Sequence, residues 1–361
     1  MKSIDKKNKK TLLLVIHALN VGGGERVLCE LVKKIDPMYF EVKVLVVGAR
    51  IENSFANTVE QQADVQYLGI TGRVTLKKIV KVCRTISKYN PDIVHSHLGG
   101  NVYSLLWALF TKGKLLITAH TIPSKAFHGY TETLVRLALK LNRLTLVAVS
   151  EENHTEMKRY FGADDHKCRC VNNGIDEDVF RREPHSGFGY INVARQDDNK
   201  NQALILRCFK KVHLLHPEAK LFLLGDGPNH QTLLRLKEEL QLGDEALILG
   251  NIDDPSFYYA ISDCYLQSSH REALPMSVIE AMAAHLPIVS TDVGGMRDIV
   301  NGNGYLVPDG DEEAYYQAMI DMIELQKEEF ESFSEKSKEI IHGAYSSVAM
   351  ARNYERIYCS I

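Results

Sequence analysis

The sequence predicts two doubly wound α/β domains in tandem, each built on a parallel sheet. Three observations carry that expectation. Short apolar, β-branched runs alternate with stretches of helical periodicity, the pattern of βαβ units. The alternation occurs twice, on either side of a polar segment bearing Pro and Gly, DVFRREPHSGFG. The chain has 361 residues, long for one domain and comfortable for two. The expected division is 1–180 and 181–344, with a final helical segment at 345–361.

In the first half the strand-like runs are TLLLVIHAL, EVKVLVVG, ADVQYLG, PDIVHSH, KLLITAH, LTLVAVS and KCRCVNNG. Helical stretches lie between them at 24–35, 73–89, 101–111, 131–142 and 151–160. The second half repeats the theme with YINVAR, AKLFLLGDGP, EALILGN, DCYLQSS, LPIVSTDVGG and GYLVP. About 35 residues at the end are helical in pattern and carry no strand signal. Two such domains in tandem generally place a ligand near their strand ends.

Hydrophobic residues make up 45% and charged residues 25%, an ordinary globular balance. No apolar run reaches the ~18 residues that span a bilayer. The start, MKSIDKKNKKTLLLVIHALN, is basic and then apolar. Its apolar part is short and no small-residue cleavage site follows, so it reads as a strand and not as a signal peptide. Seven cysteines without a CxxC pair point to reduced thiols in a cytoplasm. The net charge of −3 is split between +8 through residue 180 and −11 beyond it, so the two halves meet different partners.

Four stretches carry chemistry. NVGGGERVLCELV (20–32) follows the first strand and opens a helix. Its glycines Gly22, Gly23 and Gly24 allow close backbone approach, and a helix N-terminus favours anions. It is neither GxGxxG nor a Walker loop, which disfavours a nucleotide-driven oxidoreductase; alone it fits a packing turn equally well. VARQDDNKNQ (193–202) places Arg195 and Lys200 between a strand and a helix, where two cations suit a diphosphate and a solvated charged loop is the bland alternative. GDGP (225–228) fits any strand–helix turn. HREALPMSVIEAMAAHLPIVSTDVGG is more informative. Pro275 suits the first turn of a helix over 276–284, with Glu272 before it and Glu280 two turns along. Eight residues of helical rise span about 12 Å, the reach between the sugar and the ribose of a nucleotide-sugar. Carboxylates accept hydrogen bonds from vicinal hydroxyls, and the N–H groups between them would face the phosphates.

At these residues the chain resembles the retaining glycosyltransferases of family 4, which have the GT-B fold of two Rossmann-like domains facing a central cleft. The resemblance rests on GGGERV, PDIVHSH, TAHT, VAVSEE, VNNGID, VARQDDNKN, GDGP, the pair Glu272/Glu280 and STDVGGMRDIV, and runs through nearly the whole chain. It implies that the first domain binds the acceptor and the second the nucleotide-sugar donor, with the final helix crossing back onto the first. It implies that Arg195 and Lys200 hold the diphosphate, Glu280 the ribose and Glu272 the transferred sugar. The backbone at Leu274, Pro275 and Met276 would follow the sugar and phosphates, and Asn251 and Ile252 would meet the base. Gly22–Gly24 would close over the donor, and His120 would face the reacting sugar. The implied activity is transfer of a hexose from a nucleotide-sugar, a UDP-sugar foremost, to a lipid-linked or polysaccharide acceptor of a bacterial-type surface glycan, such as capsule or exopolysaccharide. No metal or other cofactor is expected, since cations and helix ends can stabilise the leaving diphosphate. Ala273 and Ala194 stand where the family usually has glycine, and Asp298 where Glu is common, which bears on donor identity. The alternatives are a GT-B sugar-nucleotide epimerase and a non-catalytic nucleotide-sugar-binding protein.

Outside these motifs, His95 and His97 share one strand face and read as a polar strand end lining the cleft, without a third ligand at metal-binding spacing. Lys77, Lys81, Arg84 and Lys88, and then Arg136, Lys140 and Arg143, form basic stripes on amphipathic stretches. Such stripes suit an anionic membrane surface, here the inner face of the cell membrane, and equally a solvated helix face. The acidic net charge and the lack of an aromatic–basic motif disfavour nucleic acid.

Overall fold

The computed structural model describes residues 9–20, 22–52, 54–180 and 183–361, with Ser54 by its backbone alone. The basic start at 1–8 and Arg181–Arg182 of the polar segment lie outside the described residues. The chain divides into two compact units, Met1–Asn173 with Ser347–Ile361, and Gly174–Ser346.

The first unit holds strands β1 (Lys10–Ile16), β2 (Phe40–Val46), β3 (Asp64–Tyr67), β4 (Ile93–His97), β5 (Leu115–Ala119), β6 (Leu144–Ala148) and β7 (Cys168–Cys170). Its helices are α1 (Gly23–Lys34), α2 (Ser54–Gln62), α3 (Leu76–Lys88), α4 (Asn101–Thr111), α5 (Pro123–Ala126), α6 (Tyr130–Lys140) and α7 (Glu151–Phe161). The second unit holds β8 (Gly189–Val193), β9 (Lys220–Leu224), β10 (Ala246–Ile248), β11 (Cys264–Gln267), β12 (Ile288–Thr291) and β13 (Gly304–Val307). Its helices are α8 (Gln202–Leu215), α9 (His230–Glu239), α10 (Ser256–Ala260), α11 (Met276–Ala283), α12 (Met296–Ile299), α13 (Glu312–Ile323) and α14 (Lys327–Ala344), and α15 (Ser347–Ser360) belongs to the first unit.

Both sheets are parallel, with strand orders β3-β2-β1-β4-β5-β6-β7 and β10-β9-β8-β11-β12-β13. Helices cover both faces of such sheets, so central strands read as unbroken apolar runs. Every residue of β4, β5 and β6 is buried. The helix ends follow local chemistry. Ser150 accepts from Asn153 N at the start of α7, and Asp311 accepts from Ala314 N at the start of α13. Gly162 ends α7 in the left-handed region at φ 64°.

The units part at 173/174 and 346/347, not at 180 and 344. The reason is local packing. Ile175 N donates to Tyr345 O, and the Phe180 ring meets Tyr259 edge-on, with centroids 5.4 Å apart. The segment 174–180 therefore packs with the second unit. Helix α15 joins the first: Lys10 Nζ donates to Tyr358 O at 3.0 Å, and Asp36 N donates to Glu355 Oε1 at 2.8 Å. The hydroxyls of Tyr354 and Tyr358 reach Thr118 Oγ1 and His95 Nδ1 at 2.8 and 2.7 Å. Among the described residues no helix is long and apolar enough to cross a membrane.

His95 and Tyr358 are both fully buried, so Tyr358→Phe leaves an imidazole nitrogen without its partner. That change costs about 1–3 kcal/mol. Urea unfolding of the first unit reads it, and an unchanged midpoint would contradict it.

Candidate functional site

In the second unit the strand order reverses between β8 and β11. Segments leaving the carboxyl ends of such a strand pair diverge, and open α/β sheets bind ligands there. The two segments are 194–201 and 268–275, and hydrogen bonds sew them together. His270 N donates to Asn199 O at 2.8 Å, Asn199 Nδ2 to Arg271 O at 3.0 Å and Ser268 Oγ to Lys200 O at 2.7 Å. The seam brings Lys200 to Glu272: Nζ donates to Oε1 at 2.5 Å, with side chains 20% and 9% exposed. Arg195 stands 70% exposed on the same loop, its Nε 3.7 Å from Asp197 Oδ2.

The glycine turns have a packing role here. A Cβ on Gly225 (φ +121°) would lie 2.0 Å from Ala194 O, and one on Gly227 2.2 Å from Gln196 O. GDGP is therefore pressed against the backbone of the Arg195 loop, where only glycine fits. Gly225 N also donates to Gly250 O at 2.6 Å, which ties the Asn251–Ile252 turn to the same corner. Asn251 is exposed and Ile252 half-buried. On the other side, a Cβ on Gly294 (φ +54°) would lie 1.8 Å from Glu272 O, and Gly295 N donates to Ala273 O at 3.0 Å.

Pro275 is the N-cap of α11 (φ −73°, ψ 131°), so the helix starts at Met276. Glu272 lies in the loop and Glu280 about one turn into the helix. Only the stretch from Met276 to Glu280 follows helical rise, about 6 Å, so the expected 12 Å of rise between the glutamates does not hold. Leu274 and Met276 are buried and Pro275 half-buried. At the start of α11, Val278 N donates to Pro275 O at 3.2 Å, and the N–H groups of Met276 and Ser277 precede the first intrahelical bond. Glu280 is 8% exposed and its Oε2 accepts from Tyr259 OH at 3.1 Å.

Sequence reasoning passed over Tyr259, Tyr265, Gln267 and Ser277, which surround the two glutamates. Gln267 Nε2 donates to Glu272 Oε1 at 2.8 Å, and Tyr265 OH lies 2.7 Å from Ser277 Oγ. A signal was present: CYLQ sets Tyr265 and Gln267 on one face of a strand otherwise buried among apolar residues.

In the first unit Gly22 is the N-cap of α1 and Gly23 its first residue. A Cβ on Gly24 would lie 3.0 Å from Leu98 Cδ1, just past β4, so this glycine turn packs at the reversal between β1 and β4. Burial pushes the Glu25 carboxyl above its usual range. His120 follows β5, and its Nε2 shares a hydrogen bond with His97 Nδ1 at 2.9 Å. His97 and His95 are wholly buried at the carboxyl end of β4. His95 Nε2 reaches Thr118 Oγ1 at 2.8 Å, and its ring lies 4.1 Å from that of His97. Burial pushes His120 down to about 4; burial first, and then the neighbouring histidines, push His95 and His97 well down.

The basic stripes are partly consumed by local contacts. Lys81 Nζ donates to Leu68 O at 3.2 Å, Arg143 to Lys112 O at 3.3 Å, and Arg136 pairs with Glu132 at 2.8 Å beneath the Tyr160 and Phe161 rings. Lys77, Arg84, Lys88 and Lys140 are exposed.

Residues 21–179 match the family model described as Glycosyltransferase Family 4, and 177–340 the model described as Glycosyl transferases group 1. An uncharacterised glycosyltransferase of Methanocaldococcus jannaschii is 27% identical over 250 residues, 62% of each chain. The N-acetyl-alpha-D-glucosaminyl L-malate synthase of Bacillus anthracis is 25% identical over 95% of each chain. The Campylobacter jejuni N-acetylgalactosamine-N,N'-diacetylbacillosaminyl-diphospho-undecaprenol 4-alpha-N-acetylgalactosaminyltransferase is 24% identical over 87% of this chain and 90% of its own. Among solved structures, Anabaena HepE in complex with UDP-glucose superposes with a TM-score of 0.81 at 19% identity, over 98% of this chain and all of that one.

The three histidines set a pH dependence. Their folded pKa values lie below that of a free imidazole, so the unfolded chain binds more protons once pH falls below ~6.5. Their contribution to stability is present above that pH and is lost as pH falls from about 6.5 towards 4. Urea midpoints for the first unit should drop from pH 7 to pH 5, and less so in His120→Asn. A flat wild-type profile would refute this account.

Proposed function

The chain belongs to glycosyltransferase family 4 and has the GT-B fold, and on that premise we propose that it transfers a hexose from a UDP-sugar to a lipid-linked or polysaccharide acceptor, with retention at the anomeric carbon. The observation that carries the reading is the meeting of Lys200 with Glu272 at the strand reversal of the second unit, beside the open start of α11. A cation and helix N–H groups suit a diphosphate, and carboxylates suit sugar and ribose hydroxyls. Arg195 and Lys200 hold the diphosphate, Glu280 the ribose and Glu272 the transferred sugar. Asn251 and Ile252 meet the base, and Gly22–Gly24 and His120 serve the reacting end.

In this reading the C1–oxygen bond to the diphosphate breaks and its electron pair leaves with the nucleotide. The acceptor oxygen bonds C1 on the same face, and the acceptor proton passes to the departing phosphate oxygen. Arg195, Lys200 and the start of α11 stabilise the developing charge, and no metal is required. His120 is uncharged at neutral pH and so donates or accepts a hydrogen bond without adding charge. The diphospho-undecaprenol in the Campylobacter relative's name supports a lipid-linked acceptor, and the UDP-glucose complex of the Anabaena protein supports a UDP-sugar donor.

A lipid-linked acceptor calls for an anionic membrane surface on the cytoplasmic side. Leu76 stands 76% exposed next to Lys77 at the start of α3, and Leu141 stands 50% exposed next to Lys140 at the end of α6. Apolar residues beside basic ones suit that surface.

Calorimetric titration with nucleoside diphosphates and their sugars, without added metal, tests the donor reading. One nucleotide should bind, and Glu280→Ala should weaken it at least roughly tenfold, the loss expected of a charged hydrogen-bond acceptor. No binding of any nucleotide refutes the transferase, and donor turnover to its epimer without acceptor points to an epimerase. Binding to anionic vesicles at low salt, lost at high salt and weakened in Leu76→Glu, tests the membrane surface; indifference to anionic lipid would end that part.

A further inference from the structure

We propose that Gln267 is a positioning residue that sets donor-sugar recognition by occupying one oxygen of Glu272 and leaving the other for the sugar. The inference rests on the donor reading above and deepens it. It states which atom recognises the sugar and what the sugar must bring.

Glu272 Oε1 accepts from two donors at once, Lys200 Nζ at 2.5 Å and Gln267 Nε2 at 2.8 Å. Its two lone pairs are thereby filled. Oε2 has no partner among the described residues. An ionised carboxylate only accepts hydrogen bonds, so a ligand group meeting Oε2 must be a donor. A sugar hydroxyl or an acetamido N–H qualifies. A deoxygenated or O-methylated position does not.

Gln267 is held in one orientation. It is fully buried, its Nε2 also donates to Ser269 Oγ at 2.7 Å, and its Oε1 faces Tyr265 OH at 3.0 Å. Flipping the amide would set its oxygen against the Glu272 carboxylate, so the amide nitrogen must face it. Tyr265 OH in turn lies 2.7 Å from Ser277 Oγ, and Tyr259 OH bridges Ser277 O and Glu280 Oε2 at 3.1 Å each. The anchor of Glu272 therefore leads to the start of α11 and on to Glu280.

The donor makes the anchor necessary. Lys200 is paired with Glu272, and a diphosphate would compete for the same ammonium group. Gln267 carries no charge for the diphosphate to attract, so it keeps Oε1 occupied and the carboxylate aimed when Lys200 turns to the phosphates.

Two variants test this. Gln267→Met removes both amide donations at similar length. Gln267→Glu keeps the shape and the acceptor facing Tyr265 but sets a carboxylate against Glu272, and it carries the test if the first variant does not fold. Calorimetry with UDP, and with the UDP-sugar that the wild type binds best, gives two dissociation constants for each protein. The UDP-sugar constant should rise roughly tenfold while that for UDP stays within about twofold, as for loss of a hydrogen bond to a charged group that serves the sugar alone. Gln267→Glu should lose more than Gln267→Met. Equal weakening of UDP and UDP-sugar makes Gln267 merely structural and overturns the inference, as does an unchanged ratio in both variants. A wild type that binds neither ligand refutes the donor reading itself, which is a separate failure.

Discussion

The reversal of strand order between β8 and β11 is the constraint from which the second unit's site follows. Neighbouring parallel strands whose connections run in opposite directions leave their outgoing loops free to face one another. Here those loops are joined by one backbone bond, from His270 N to Asn199 O, and by two short side chains, Asn199 and Ser268, that donate to backbone carbonyls across the seam. Lys200 and Glu272 then need no search to find each other. A carboxylate 9% exposed would cost several kcal/mol to leave unpaired. The lysine and the Gln267 amide meet that cost, and the glycines at 225, 227 and 294 let the surrounding turns close on the two loops without a Cβ in the way.

Much of the fold was legible because parallel, doubly covered strands write themselves as apolar runs. Each of the thirteen runs singled out in the sequence holds one of the strands. In the first unit helices α2 and α5 were missed: SFANTVEQQ is a mixed polar segment and PSKA a single turn, so neither carries a clear period; in the second, α9, α10, α12 and α13 were not singled out. The site was legible in composition but not in pairing. Lys200 and Glu272 are 72 residues apart, and no local pattern reports a contact made by strand order. The Pro275 signal was real and α11 begins at Met276 as expected, but Glu280 is its fifth residue and so lies about a turn and a half along, not two turns. The histidines were read as a polar strand end because alternation gives the face and not the depth. What covers His95 is α15, whose place beside β4 and β5 depends on contacts from the far end of the chain, while His97 lies between His95 and His120.

That helix gives the first unit a polar interior of an unusual kind. His95 is held at both ring nitrogens, by Tyr358 and by Thr118, and Thr118 is held again by Tyr354. Neutral hydrogen-bonded groups can be buried at modest cost, whereas an imidazolium there would be penalised. The arrangement keeps charge out of the strand ends behind His120. It also makes α15 part of the first sheet's packing, so a chain lacking α15 would lose both tyrosines and leave His95 Nδ1 without its partner while Thr118 still meets Nε2.

The same reasoning settles what Ala273 does to the second site. Glycine is usual at that position in the family, and an added methyl can matter in two ways: by backbone strain or by filling ligand space. Ala273 does not adopt a positive φ, so strain is not the issue. It is 7% exposed, with its carbonyl held by Gly295 N, so nearly all of the residue is covered by protein. The glycine that the backbone requires here is Gly294, where a Cβ would strike Glu272 O at 1.8 Å. A methyl at 273 is therefore accommodated without backbone strain while the carboxylate stays on Lys200 and Gln267. On the proposed donor reading, sugar preference would then depend on what meets Oε2 more than on the lost glycine.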